Sequence, residues 1–298
     1  MNNICFGSWA FAFGPFAKEP WELPRILQWG QEAGYDGIEL NGFRPHPHPD
    51  DYDTAAKCDK LVREIEHSGL KLVGYAPDLT GAPPAIVEAE LYMKELRKCL
   101  DFCANCGVRT LRIDTVSPPE PLNERVYAER FSRLAGTWQL AAEEADRRGV
   151  RIVWEFEPGF WLNKPSEVKR ILDTVDHPHF LALFDSCHAY MGAVQGARHV
   201  GSPELLAGGV AEYWSMLAPR IGHLHLIDSD GTLHDEDTST HTHFGQGHLD
   251  FAALLATAKP FLATNEWIGV DYCFNADAAE CGKEAPAFIR RYLGEDRR

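Results

Sequence analysis

The chain has 298 residues, 45% of them hydrophobic, and carries 29 Lys and Arg against 44 Asp and Glu for a formal charge of -15. That acidic balance excludes nucleic acid and anionic membranes as partners, because neutralising phosphates needs clustered Lys and Arg. No apolar run approaches the roughly 20 residues of a membrane span, and the N-terminus lacks a charged region leading into a long apolar stretch, so a soluble, cytoplasmic protein with its eight cysteines reduced is expected.

In chain order, a short apolar run over 4–7 predicts strand one, followed by a loop with Trp9, Phe11, Phe13 and Phe16. A helix over 21–33 stops at Gly34, and strand two covers 37–40. The loop 41–51, rich in Pro and His, leads to helix two (54–68) and strand three (70–75). Helix three (84–106) is closed by Gly107 before strand four (108–113), which ends at Asp114. Helix four (124–148), strand five (151–156), helix five from Pro165 and strand six (180–184) follow. Helix six lies near 203–217, strand seven is 221–227, helix seven is 251–259, strand eight is 267–273, and a last helix covers 276–293.

Eight strand signals alternating with eight helical ones predict an α/β fold, a single (β/α)8 TIM barrel over residues 1–298, for which about 250 residues suffice. The longest loop, 228–250, follows strand seven and is a candidate active-site lid. In such a barrel, side chains at the carboxyl ends of the strands face the ligand. Strand five carries Glu155, strand six ends in Asp185, strand seven holds His223 and His225, and strand eight carries Asp271. Glu155, Asp185, His225 and Asp271 are therefore expected around one point as ligands of a divalent metal. Three carboxylates and one imidazole favour Mn2+, then Mg2+ or Co2+, with Zn2+ less natural. Without a cation, three neighbouring buried carboxylates would be strongly unfavourable.

Gly34-Tyr35-Asp36-Gly37-Ile38-Glu39-Leu40, the strand-five Glu155, Phe184-Asp185-Ser186-Cys187-His188, Gly222-His223-Leu224-His225-Leu226-Ile227-Asp228 and Phe244-Gly245-Gln246-Gly247-His248-Leu249-Asp250-Phe251 together resemble the xylose-isomerase-like superfamily of sugar phosphate isomerases and epimerases. The resemblance implies that Glu155, Asp185 and His225 are metal ligands and that His188 contacts substrate oxygens. The family's fourth ligand is usually a Glu on strand eight, where this chain has Asp271; Glu266 is the weaker candidate. Ketulose 3-epimerases of this kind carry an Arg six residues after the ligand histidine, and Gly231 stands there. In the apurinic-site endonuclease branch an Asp stands where this chain has Ser239, so a trinuclear zinc site is not expected.

The function expected is isomerisation or epimerisation of a hydroxy-carbonyl substrate (a ketose, cyclitol or keto-glycoside) through an enediolate. Glu155, Asp271 and His188 would move protons. His188, His223, His241, Trp9, Trp161 and Asp114 would contact the substrate. The alternatives are a lyase or dehydratase on a keto-sugar, keto-inositol or keto-glycoside, a phosphodiesterase, and a catalytically silent partner subunit. The partner is a sugar-like small molecule, with a homo-oligomer left open. Cys99, Cys103 and Cys106 share one helical face with Leu96 and Leu100 nearby and are read as packing thiols rather than cluster ligands.

Overall fold

A computed structural model of the chain describes residues 2–235 and 237–294. Eight parallel strands close into a barrel: β1 (Asn3–Gly7), β2 (Gly37–Asn41), β3 (Lys71–Ala76), β4 (Thr110–Ile113), β5 (Arg151–Glu155), β6 (Phe180–Asp185), β7 (Ile221–Leu226) and, last in the chain, β10 (Trp267–Val270). β10 pairs with both β1 and β7, which completes the cylinder. The (β/α)8 expectation therefore holds. No described helix is long and apolar enough to cross a membrane.

The outer packing follows from apolar helix faces laid on a sheet that is buried on both sides. Helix Glu124–Asp146 inserts Trp138 between Trp154 of β5 and Phe180 of β6, at ring-centroid distances of 5.1 and 5.2 Å. Trp138 is fully buried. Truncating it opens a large cavity, so Trp138→Ala is expected to cost about 3–5 kcal/mol; urea denaturation would read this, and a loss below about 1 kcal/mol would contradict the packing described. Cys99, Cys103 and Cys106 are buried in the core with Phe102 and Tyr75, and all eight cysteines are free thiols.

Differences from the expected boundaries have local causes. The helix expected from residue 84 begins at Ala89, because Pro83 and Pro84 lack amide donors and restrain the residues before them. The helix expected from residue 203 begins at Gly209, whose φ of 55° breaks the incoming chain. The last helix is two, Ala278–Cys281 and Ala285–Tyr292.

The largest difference is the segment after β7. In place of an open loop over 228–250, the chain forms an antiparallel hairpin of β8 (Asp228–His234) and β9 (Thr238–Thr242). The run Thr-Ser-Thr-His-Thr is rich in β-branched residues and alternates in burial, with Ser239 and His241 buried. Asp228 latches the return: its carboxylate accepts the amides of Gly245, Gly247 and Leu249 at 2.9–3.1 Å. A Cβ at Gly247 would lie 2.4 Å from Asp228 Oδ1, so only glycine fits there. The Gly-Gln-Gly stretch is thus a structural clasp.

Inside the barrel, polar residues replace the bulky aliphatic layers usual for this architecture. Glu39 of β2 is 2% exposed and accepts from His223 (2.8 Å) and His225 (3.2 Å) of β7 and from the Cys5 thiol (3.2 Å). Two glycines make the room. A Cβ on Gly269 would come within 2.4 Å of the His225 ring, and one on Gly74 within 2.9 Å of Glu39.

Candidate metal centre

Parallel register sets the positions of the candidate ligands. Asp185, the last residue of β6, pairs with His225 of β7, and His225 pairs on its other side with Gly269 of β10. Glu155 ends β5, and Asp271 follows β10 by one residue. One ligand atom from each of Glu155, Asp185, His225 and Asp271 lies within 4.8 Å of every other, and all four residues are buried. His225 Nδ1 is 3.2 Å from Glu155 Oε1 and 3.9 Å from Asp271 Oδ2.

The electrostatics of the cluster are strained. Asp185 Oδ1 accepts the His188 amide at 2.8 Å and caps the short helix Ser186–Tyr190, while Oδ2 is buried with no hydrogen-bond partner. Burial first, then Asp271 and Glu155 against the pull of His241, pushes the Asp185 carboxyl up to about 7. Burial also works against the charge of Glu155, but the Arg112 guanidinium, 2.5 Å away, and His225 hold it down at about 2. Asp271 is likewise held well below the ordinary range against burial, by His241, His225 and Trp9. Three oxygen donors and one nitrogen converge here, one donor oxygen unpaired, and the set fits a divalent cation.

Glu39 fixes the orientation of His225. It faces Nε2, so the Nδ1 edge turns to the carboxylates. Burial opposes the His225 charge, yet Glu39 and Glu155 raise its pKa well above the ordinary value. Glu39→Gln is expected to weaken metal binding about 10- to 100-fold, as loss of an outer partner of a metal-ligating histidine does. Titration against a competing chelator would measure it, and unchanged affinity would remove Glu39 from this role.

Above the cluster lies a cavity whose lining includes Trp9, Arg112, Asp114, Glu157, His188 and His241 among polar and charged contacts, with Phe13, Phe43, Phe160 and Phe274 as aromatic walls. His188 Nδ1 meets Ser239 Oγ at 2.8 Å and its Nε2 is 3.8 Å from Glu157. Burial, then His241, lowers His188 to about 3, so the imidazole is neutral. His241 Nδ1 is 3.3 Å from Asp271; burial opposes its charge, but Asp271 raises it to about 9. The hairpin thus contributes Ser239 and His241 to this wall. Trp9 donates its indole N–H to Asp271 at 2.8 Å, so it orients a carboxylate as well as facing the cavity.

Two sequence expectations are corrected, and the weaker alternative for the fourth ligand is set aside. His223 does not reach this cavity: it sits lower in the barrel, held by Glu39. Trp161 faces away and packs on Tyr127 at 5.5 Å, while its neighbour Phe160 lines the cavity. Glu266 lies at the amino end of β10, exposed, beside Asn3 at 2.9 Å and Lys71 at 3.9 Å, far from the cluster. Sequence reasoning passed over Arg112, Glu157 and the role of Glu39. A charged residue inside the four-residue apolar strand Thr-Leu-Arg-Ile, and a Glu inside Gly-Ile-Glu-Leu, were the available signals.

A family model of the xylose isomerase-like TIM barrel matches residues 27–292. Fructoselysine 3-epimerase of Escherichia coli O157:H7 is 24% identical over 238 residues, covering 75% of this chain and 76% of its own. Among solved structures, an L-ribulose 3-epimerase superposes with a TM-score of 0.72 at 17% identity, over 99% of this chain and 95% of the other. The IolI protein with a bound zinc atom gives 0.70 at 18% identity, over 98% of each chain. With a family match spanning nearly the whole chain and the same barrel in its neighbours, the chain belongs to the xylose isomerase-like TIM barrel family.

Proposed function

We propose that this protein is a divalent-metal-dependent epimerase of a sugar with a ketone beside a hydroxyl-bearing carbon. The observation that carries the reading is the convergence of Glu155, Asp185, His225 and Asp271 from four adjacent strands beneath the cavity. Kinship with fructoselysine 3-epimerase and the fold shared with L-ribulose 3-epimerase support the substrate class. Mn2+ is the cation we assign first, with Mg2+, Co2+ and Zn2+ behind it.

A divalent cation bound by these four residues would supply Lewis acidity to a carbonyl oxygen and the neighbouring hydroxyl. The protein's own groups do the rest. Glu155 and Asp271 are both held as carboxylates at rest; one accepts the proton of the hydroxyl-bearing carbon beside the ketone and then releases it to solvent, while the other takes up a proton from solvent and delivers it to that carbon. Taking the proton from one face and returning it from the other inverts that carbon. His188, neutral and fixed by Ser239, contacts a substrate oxygen, and His241, Asp114 and Trp9 bound the space around it. The aromatic walls exclude water from the enediolate and receive apolar parts of a larger substrate.

The test is proton NMR in D2O with the Mn2+-loaded protein and fructoselysine or L-ribulose. Deuterium entering the carbon beside the ketone, together with the epimer, is expected; no exchange with any ketose or keto-glycoside would sink the proposal. A lyase is the second reading, favoured by Glu157: burial, then Glu155 against Arg112, pushes its carboxyl up to about 7, so it is an acid available to a leaving group beside His188. Release of the β-substituent in the same tubes would identify it.

A further inference from the structure

The amino-terminal end of the barrel opens into a second cavity of about 410 Å3, walled in part by Arg109, Thr110, Arg151, His223 and Trp267. Arg151 is the first residue of β5 and shares the inward face with Val153 and Glu155. Its Nε is buried without a hydrogen-bond partner, and among the described residues no carboxylate reaches ion-pair distance of its guanidinium. Most arginines of this acidic chain do find carboxylates, as Arg97, Arg148 and Arg220 illustrate. Arg109 borders the same cavity, also without a carboxylate partner among the described residues, and its carbonyl accepts the Arg151 amide at 2.7 Å, which keeps the two residues adjacent. The one acidic side chain on this wall, Glu266, lies 3.9 Å from Lys71.

Arg151 is half-buried, and a guanidinium whose Nε is cut off from solvent with no counter-charge at hand carries a desolvation cost; burial accordingly lowers its pKa. The planar fork of Arg suits a tetrahedral oxyanion through paired N–H donors. We propose that this cavity binds a small oxyanion of phosphate size, held by Arg151 and Arg109 at the end of the barrel opposite the metal centre. The proposal does not depend on the reading of the metal centre.

The experiment is thermal unfolding of the metal-loaded protein in inorganic phosphate against sodium chloride of equal ionic strength, for wild type and Arg151→Met. Phosphate is expected to raise the wild-type Tm by a few degrees and to leave that of the variant unchanged. In phosphate-free buffer the variant is expected to melt no lower than wild type, since it loses a charge that no protein group compensates. An equal rise in both proteins, as phosphate at the metal centre would give, overturns the proposal, and so does no rise in wild type or a destabilised variant without phosphate. Should Arg151→Met fail to fold, Arg109→Gln, altered at an exposed side chain, decides: calorimetric phosphate affinity about tenfold weaker is expected, and unchanged affinity refutes the site.

Discussion

Glu155→Gln is expected to lower kcat/KM on a ketose substrate by about 10^3-fold or more, because in the proposed mechanism Glu155 serves both as a metal donor and as a proton acceptor and one atom change removes both. Glutamine keeps the shape and fits the same buried place, so folding should survive. It removes the charge that Arg112 meets at 2.5 Å and His225 at 3.2 Å. Arg112 retains Asp114 at 3.7 Å and Glu157 at 3.8 Å, which limits the structural penalty. Steady-state kinetics with a parallel deuterium-exchange assay measure the loss. Activity within a few-fold of wild type would show that Glu155 neither binds the cation nor moves the proton.

Asp185→Asn separates stability from function. Asparagine can still cap the Ser186–Tyr190 helix through its carbonyl, replacing the bond from the His188 amide at 2.8 Å. Its amide then stands where the unpaired carboxylate oxygen was and can donate to a neighbouring carboxylate. Metal binding is expected to fall at least about 100-fold, since an anionic ligand becomes neutral. The metal-free variant is expected to melt higher than metal-free wild type, because a buried carboxylate repelled by Asp271 and Glu155 has been neutralised. Elemental analysis and scanning calorimetry on dialysed protein read the two effects. Undiminished metal content, or a metal-free variant that melts lower, would contradict the cluster as described.

Much of this architecture was legible in the chain. The alternation of short apolar runs with amphipathic segments closed by Gly34, Gly69, Gly107 and Gly149 is a local signal, written in periodicity and in residues that accept positive φ. The same pattern placed Glu155, Asp185, His225 and Asp271 at strand ends, and parallel register brings strand ends together wherever a barrel closes. The hairpin Asp228–Thr242 has little strand signal of its own, since Gly231 and the surrounding Asp and Ser residues carry turn chemistry; what orders it is the distant clasp from Asp228 to Gly245 and Gly247.

Neither His223 nor Trp161 could be placed from sequence. Strand alternation gives the face a side chain takes and not its depth, and depth separates His223, tied to Glu39, from His225, which meets the carboxylates. For Trp161 and Phe160, adjacent in a loop, orientation depends on partners such as Tyr127, 34 positions away. The sequence by itself determined the barrel, its strand ends and the residue types that stand there, since these follow from local periodicity and residue type. The tertiary structure alone decided the Glu39–His223–His225 arrangement, the Arg112–Glu155 pair, the hairpin's share of the cavity and the unpaired Arg151. Each depends on groups far apart in the chain whose approach is fixed only when the barrel closes.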